Sequence, residues 1–360
     1  MGINKKDSFW ANKKVLITGH TGFKGSWLSL LLLELEANII GFSLEHQSFP
    51  NIYDSLSISR RIKDIRGNIE NYKTINQVID EHNPEIIIHM AAQALVRKSY
   101  EDPSETFNTN ALGTVNLLES CRHSSSVKVI IIVTSDKCYK NKEIDYFYKE
   151  SDELGGDDPY SASKACAEII TNSYYKSFFK VKGIGVASVR AGNVIGGGDW
   201  SPDRLIPDAI RSFMSNNKLE IRNPDSIRPW QFVLEPLFGY LELCEKLWIS
   251  PAEFSSGWNF GPEKSNVKKV GEIAVLMEGL WDGNFAWSHT NESGPKEAKL
   301  LCLDSSKAKA FLNWKPKLSL TLTLEKTIDW YSEFYNNNEN IVEFSINQIK
   351  EYSREVFNEV

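Results

Sequence analysis

The chain has 360 residues, 41% of them hydrophobic and 24% charged, with a net charge of −6. That balance suits a globular protein of one large or two medium domains and carries no global basic signal for nucleic acid or a membrane surface. No apolar run reaches the roughly 20 residues a membrane span needs, and the polar opening MGINKKDSFWANKK, with Lys6 where a myristoylation signal needs Ser or Thr, argues against a secretory leader or lipid anchor.

In chain order, VLIT (15–18) is a short apolar run, followed by a glycine-rich turn and the helix pattern WLSLLLLELEA. NIIGFS (38–43) reads as a second strand and Ile65 lies in a weak third. YKTINQVIDEH predicts a helix ended before Pro84, and EIIIHMAA (85–92) a strong strand. TFNTNALGTVNLLESCRH is a helix, KVIIIVTS a strand, YSASKACAEIITNSYYKSFF a helix and KGIGVASV a strand. Apolar strands alternating with helices predict an α/β fold, a doubly wound parallel sheet covered on both faces. From about Arg190 the rhythm breaks into the loop AGNVIGGGDWSPD and shorter aromatic-rich segments, with a helical tail after Leu320. The expected division is a first domain over 1–189 and a smaller C-terminal α/β substrate domain over 190–360, with segments near 233–260 returning to the first.

The five cysteines, Cys121, Cys138, Cys166, Cys244 and Cys302, are scattered and form no CxxC pair. They predict reduced thiols in a cytoplasm, with no disulfide frame and no metal site. Cys138 reads as a packed small hydrophobe rather than a nucleophile.

The turn after the first strand is GHTGFKG, with Gly19, Gly22 and Gly25. Glycines between a strand and a helix permit a tight turn, close approach to a pyrophosphate, and helix N–H groups aimed at the anion. YSASK then places Tyr160 and Lys164 four apart at a helix start, on one helical face. A lysine ammonium and a nicotinium charge nearby would favour the phenolate, so the pair can take a hydroxyl proton as hydride leaves the carbon.

The GxxGxxG spacing with YxxxK resembles the short-chain dehydrogenase/reductase superfamily in its extended branch, and so implies a Rossmann-type sheet. The resemblance implies NAD as cofactor, held by Gly19, Thr21, Gly22, Phe23 and Gly25 in the turn. GFSLEH lacks the expected ribose-binding Asp, leaving Ser43 or Glu45 for that place, and no Arg there to meet a 2′-phosphate. Asn68 stands where an Asp often faces adenine, with Ile69 beside it. Ala91, Ala92 and Gln93 close the fourth strand, and Thr134 stands at the tip of the fifth. Asn110 matches a superfamily Asn, or is a helix-stabilising polar residue. Ser135 matches the hydroxyl residue that bonds the substrate oxygen.

Asp136 and Lys137 follow Ser135 at a strand tip, where an acid beside a base is costly to desolvate. Simple dehydrogenases and 4-epimerases of the superfamily need no such pair, whereas a sugar dehydratase does. Its 4-ketone acidifies C5, a base removes that proton, and an acid protonates the departing C6 hydroxyl. Ser135-Asp136-Lys137 within SDKCYKN, against the Thr-Asp-Glu of dTDP-glucose 4,6-dehydratases, resembles the CDP-glucose branch of the nucleotide-sugar 4,6-dehydratases. RAGNVIGGGDWSPDRLIPD, IRPWQFVLEPLFGYL, GWNFGP and LDSSKAKAFLNWKP agree, with Phe232 standing where that branch has His. The resemblance implies CDP-glucose as substrate and a homodimer or higher homo-oligomer. Arg204 and Arg228, then Arg222, are candidates for the diphosphate. Asn193 is a candidate for a diphosphate or sugar oxygen, Arg97 a substrate-facing position or a surface charge, and Trp230 a contact or a packing residue. The competing readings are another nucleotide-sugar dehydratase or a 4-epimerase, which has no use for Asp136 and Lys137, and a non-catalytic dinucleotide sensor, which need not keep Ser135, Tyr160 and Lys164.

Overall fold

The structure is a computed structural model that describes residues 8–46, 49–281, 286–290 and 300–357, so the start of the polar opening, Lys6 included, lies outside the described residues. Seven strands form one parallel sheet: β1 (Lys14–Thr18), β2 (Asn38–Ser43), β3 (Lys63–Arg66), β4 (Ile86–His89), β5 (Val129–Val133), β6 (Gly185–Ala191) and β7 (Gly257–Phe260), in the order β7-β6-β5-β4-β1-β2-β3. All five residues of β5 and all seven of β6 are buried. Helices cover both faces, so both strands are buried throughout rather than in alternation, β5 as the β-branched run VIIIV and β6 as GVASVRA. This is a Rossmann-type doubly wound sheet.

From β1 the chain passes to one side through β2 and β3, then crosses to β4 on the other. The carboxyl ends of β1 and β4 therefore bound a topological switch point, where open α/β sheets form their ligand crevice. The glycine turn follows β1 and Ala91–Gln93 follow β4, so both lie at this point. β4 ends three residues earlier than the EIIIHMAA run suggests. The reason is local: Thr18 Oγ1 accepts from the N–H groups of Met90 and Ala91, both at 3.2 Å, and bends the chain into the crevice.

Residues 103–123 are not one regular helix. α-Helical Pro103–Phe107 and Gly113–His123 flank a wider π-turn, Asn108–Leu112. Gly113 presses on Ile69, where an added Cβ would stand 2.8 Å from Ile69 Cγ2. The helix Pro159–Tyr174 starts at Asp158, whose carboxylate accepts from Ser161 N at 2.9 Å, with Pro159 in its first turn.

Beyond β6 the chain builds smaller sheets: Asn193–Ile195 pairs with Ile227–Phe232, which pairs with Val267–Lys269, and Leu219–Ile221 pairs with Trp287–His289. Leu234–Ile249 is a helix packed on β5 and β6, and β7 pairs with β6, so residues 234–260 lie within the large layer. Phe232 is fully buried, its ring 6.3 Å from that of Tyr352, so the position packs core. Trp230 is buried with its indole N–H on Lys268 O. All five cysteines are free thiols, and burial pushes the Cys138 thiol well up.

One charged pair lies inside this apolar frame. Arg190 of β6 and Glu168 of the Pro159–Tyr174 helix are each 4% exposed and joined twice, Nε to Oε1 at 2.8 Å and Nη2 to Oε2 at 2.7 Å. Ser188 and Thr134 hydroxyls each donate to the same carboxylate at 2.5 Å. Burial alone would raise the Glu168 pKa; the charge and hydrogen bonds of Arg190, with Ser188 and Thr134, outweigh it and hold the group ionised. Removing one partner leaves a buried charge without compensation. Glu168→Ala should therefore cost about 3–5 kcal/mol, read as a fall in the urea midpoint, with Glu168→Gln costing less. A change within experimental error in Glu168→Ala would show the pair to be dispensable.

Candidate active site

The crevice at the switch point is a cleft of about 660 Å³. Its first wall is the glycine turn. Gly19 has φ +76°, and a Cβ there would lie 2.7 Å from Ala91 N; a Cβ on Gly25 would lie 2.2 Å from Gly19 O. Both positions thus need glycine on steric grounds. Gly22, by contrast, faces the cleft, with nothing nearer its added Cβ than Gly19 O at 3.4 Å. The helix Phe23–Glu34 begins directly after it with no side chain capping its first N–H groups. An uncapped 12-residue helix pointing into a cleft across a bare glycine fits a pyrophosphate.

Thr21, Phe23, Ser43, Asn68, Ile69, Ala91, Ala92, Gln93 and Thr134 all line the cleft. Thr21 and Ser43 hydroxyls meet at 2.9 Å. Asn68 Oδ1 accepts from Glu70 N at 2.9 Å. GFSLEH holds no arginine, but the neighbouring strand delivers one: Arg66 donates to Leu44 O and is engaged by Asp64 at 2.9 Å and Glu45 at 3.5 Å, outside the cleft lining.

Asn110, which matches a superfamily Asn, is placed apart from the residues that line the cleft. It is 2% exposed in the π-turn and does not reach the cleft. Its Oδ1 accepts from Gln93 N at 2.9 Å, and its Nδ2 donates to Gln93 O at 3.0 Å and Ser163 Oγ at 2.9 Å. It clamps the β4 exit onto the helix that carries Tyr160 and Lys164.

At the tip of β5 stand Ser135, Asp136 and Lys137, facing Tyr160 and Lys164 across the cleft floor. Ser135 Oγ donates to Asp136 Oδ1 at 2.8 Å and accepts from Lys137 N at 3.2 Å. Burial raises the Asp136 pKa, and the charges of Lys137 and Arg228 with the Ser135 bond offset it only in part. Among the described residues no ion pair joins Asp136 to the half-buried Lys137. The carboxyl is thus disposed to hold a proton, as an acid must.

The Tyr160 phenol differs from expectation. Burial pushes it up to about 12, against a hydrogen bond with Ser135 and the charge of Arg204, which pull it down. Lys164 is not among the charges that lower it: its Nζ donates to Val133 O at 3.3 Å, and burial and the like charge of Lys24 bring the ammonium down to about 8. Desolvation outweighs the pairing read from the four-residue spacing. Lys24 itself, within GHTGFKG, carries no role in the sequence reading, yet it lines the cleft near Asp136, Asp199 and Arg204.

Asn193, Arg97, Arg204, Arg222 and Arg228 line the far side. Two aspartates missed in the sequence organise them: Arg204 pairs with Asp199 at 2.7 Å, while Arg97 and Arg222 both pair with Asp203, at 2.7 and 2.8 Å. Only the Gly/Asp/Pro character of the loop signalled them.

The sequence pattern of the family described as GDP-mannose 4,6 dehydratase matches residues 16–327. A CDP-glucose 4,6-dehydratase of Salmonella typhimurium is 46% identical over 340 residues, which is 93% of this chain and 95% of that protein. Among solved structures, the dTDP-glucose 4,6-dehydratase of Bacillus anthracis in complex with NAD has a TM-score of 0.72 at 23% identity, over 90% of this chain and 97% of that one. The UDP-glucuronic acid 4-epimerase of Bacillus cereus with UDP-glucuronic acid and NAD has a TM-score of 0.76 at 23% identity, over 89% and 100%. At these identities the two structures speak for the fold.

The open position of Gly22 yields a test. Gly22→Asp should fold, because its Cβ meets little, yet place a negative charge before the uncapped helix start. NAD affinity, measured by calorimetric titration, should fall at least tenfold; wild-type affinity in the folded variant would remove this turn from the binding site.

Proposed function

The chain belongs to the GDP-mannose 4,6 dehydratase family, and from that premise we propose that it is an NAD-dependent lyase converting CDP-glucose to CDP-4-keto-6-deoxyglucose. The observation that carries the reaction type is the buried Asp136, raised in pKa and unpaired with its neighbour Lys137, beside Tyr160 in the cleft. An epimerase has no task for a carboxyl with a raised pKa at that place. The identity to the Salmonella protein supports the substrate.

Bound at the glycine turn, NAD would accept the C4 hydride of the sugar and return it to C6, so that no external oxidant or reductant is consumed. Tyr160 takes the C4 hydroxyl proton, and Ser135 holds that oxygen. The high pKa set by burial of Tyr160 is lowered by Ser135 and Arg204, which favour its ionised form. The ketone at C4 then acidifies C5. Lys137 takes the C5 proton, Asp136 gives its proton to the C6 hydroxyl, the C6–O bond breaks and water leaves, and Lys137 gives a proton back to C5 once C6 has been reduced. Asn110 and the Glu168–Arg190 pair act at a distance by fixing the two elements that carry these groups.

Arg204 and Arg228 support the diphosphate: Arg204 acts on Tyr160 and Arg228 on Asp136, so both charges lie beside the reacting sugar. No helix among the described residues is long and apolar enough to cross a membrane. A cytoplasmic enzyme agrees with the five free thiols, and a homodimer follows from the resemblance.

Substrate deuterated at C4 should give product deuterated at C6. Label left at C4 or released to solvent would reject the cycle. Asp136→Asn and Lys137→Ala should slow elimination by roughly 10²–10⁴-fold while oxidation at C4 persists, as followed by single-turnover nicotinamide absorbance; near-normal dehydration in Lys137→Ala would exclude it as the C5 base.

The pH dependence has a definite sign. Asp136 must be protonated to act, and its pKa is raised, so the elimination rate should fall as pH rises through that raised value. That descending limb should vanish in Asp136→Asn. Its persistence there would assign the limb to another group.

A further inference from the structure

Asp203, Arg97 and Arg222 form a cluster on the cleft wall that the reaction does not use. Arg97 follows β4, Arg222 follows the strand Leu219–Ile221, and Asp203 lies in the loop between. Both Nη1 atoms land on one oxygen, Oδ1, and among the described residues no group bonds Oδ2. Asp203 has φ +60°, a left-handed conformation that Asp and Asn tolerate better than most residues. Arg204 instead bonds Asp199.

The two groups of arginines differ in place and in charge. Arg204 and Arg228 act on the reacting groups, while Arg97 and Arg222 act on Asp203. The cluster also borders the small concavity of Leu95, Lys98 and Pro202 at the cleft rim. Arg97, Arg222 and Asp203 line the same cleft as Tyr160, yet none of them is among the main charges that act on Tyr160 or Asp136. Partial burial works against the Asp203 carboxylate, but the hydrogen bonds and charges of Arg222 and Arg97 hold it below its usual range. A permanent carboxylate at the centre of the cluster repels a diphosphate. It suits a neutral ring that offers a hydrogen-bond donor beside acceptors.

Cytosine has that edge: an N4 amino donor beside the acceptors N3 and O2. Uracil and thymine place an acceptor, O4, where cytosine has the amino group. We propose that Asp203 is the specificity-determining residue that selects a cytosine nucleotide, its Oδ2 accepting from N4 while the guanidinium N–H groups of Arg222 and Arg97 meet N3 and O2. This deepens the substrate reading above and rests on it. An anion-only seat would need no carboxylate; a uracil or thymine site would set Asp203 Oδ2 against O4, two acceptors facing each other.

The experiment titrates the full chain with CDP, UDP and dTDP by calorimetry and measures kcat/KM for the three glucose derivatives. Wild type should prefer the cytosine ligand. Asp203→Asn keeps a residue that tolerates the left-handed backbone and can turn an amide N–H toward O4. It should shrink the CDP-over-UDP preference about 10–100-fold. Asp203→Ala should weaken CDP binding and leave UDP binding unchanged or tighter, because the acceptor facing O4 is gone. Equal weakening of CDP and UDP in both variants would make Asp203 a strut for the arginines and overturn the inference, as would a CDP preference that survives Asp203→Asn. A wild-type chain that prefers UDP or dTDP would overturn the substrate reading itself, and this inference with it.

Discussion

The Glu168–Arg190 pair is the constraint from which the rest of the site takes its geometry. Glu168 sits one turn along the helix from Lys164, and Arg190 lies on β6. Thr134, which donates to the same carboxylate, directly precedes Ser135. Arg190 also donates to the Tyr139 hydroxyl at 2.5 Å, which in turn donates to Asn259 of β7 at 2.8 Å. Asn259 continues to the carbonyls of Tyr148 and Asp304. A single buried network therefore registers the helix of Tyr160, the tip of β5, two strands and the segment around Asp304 against one another. Such a network contributes little net stability over an apolar replacement, because desolvation offsets most of the attraction. What it supplies is one arrangement of the catalytic groups, since every member has its partner only in that arrangement.

The same low dielectric that makes the pair necessary sets the chemistry of its neighbours. Burial drives Asp136 toward its neutral acid and Lys164 toward a weaker ammonium, without any special ligand for either. On the far wall Arg204 is paired with Asp199, and Arg97 and Arg222 share Asp203, so these charges are offset by carboxylates. The cleft is thus divided into a floor where charge is discouraged and a wall where charge is kept in balanced sets.

The central sheet was legible because burial on both faces forces continuous apolar runs such as VLIT and KVIII, and such runs are local. The glycine turn and YSASK were legible because their spacing and their neighbours are local too. What escaped was decided by contacts across the chain. Asn110 has the composition of a ligand contact, but its partner Gln93 lies across the chain on the β4 exit and fixes it as a clamp. Arg66 reaches the end of β2 only because β3 pairs beside it. The Tyr160–Lys164 spacing was read correctly as one face, yet the balance of burial against charge there depends on Arg204 and Val133, far away in sequence. Asp203 shows the same limit: nothing near it in the sequence tells that two arginines from distant segments of the chain converge on one oxygen.

The pairing of β7 with β6 has a bearing on how the chain is made. β6 ends at Ala191 and β7 begins at Gly257, with the smaller sheets between. On a ribosome adding about 5–20 residues per second, the gap corresponds to a wait on the order of several seconds. During that time the growing sheet has strand β6 as an open edge, six apolar or small residues and Arg190, with the outward N–H and C=O groups unpaired. An edge of that kind recruits other strands, so the nascent protein is a natural client for chaperones that shield exposed β-edges, and its hazardous stage ends only when residue 260 clears the exit tunnel.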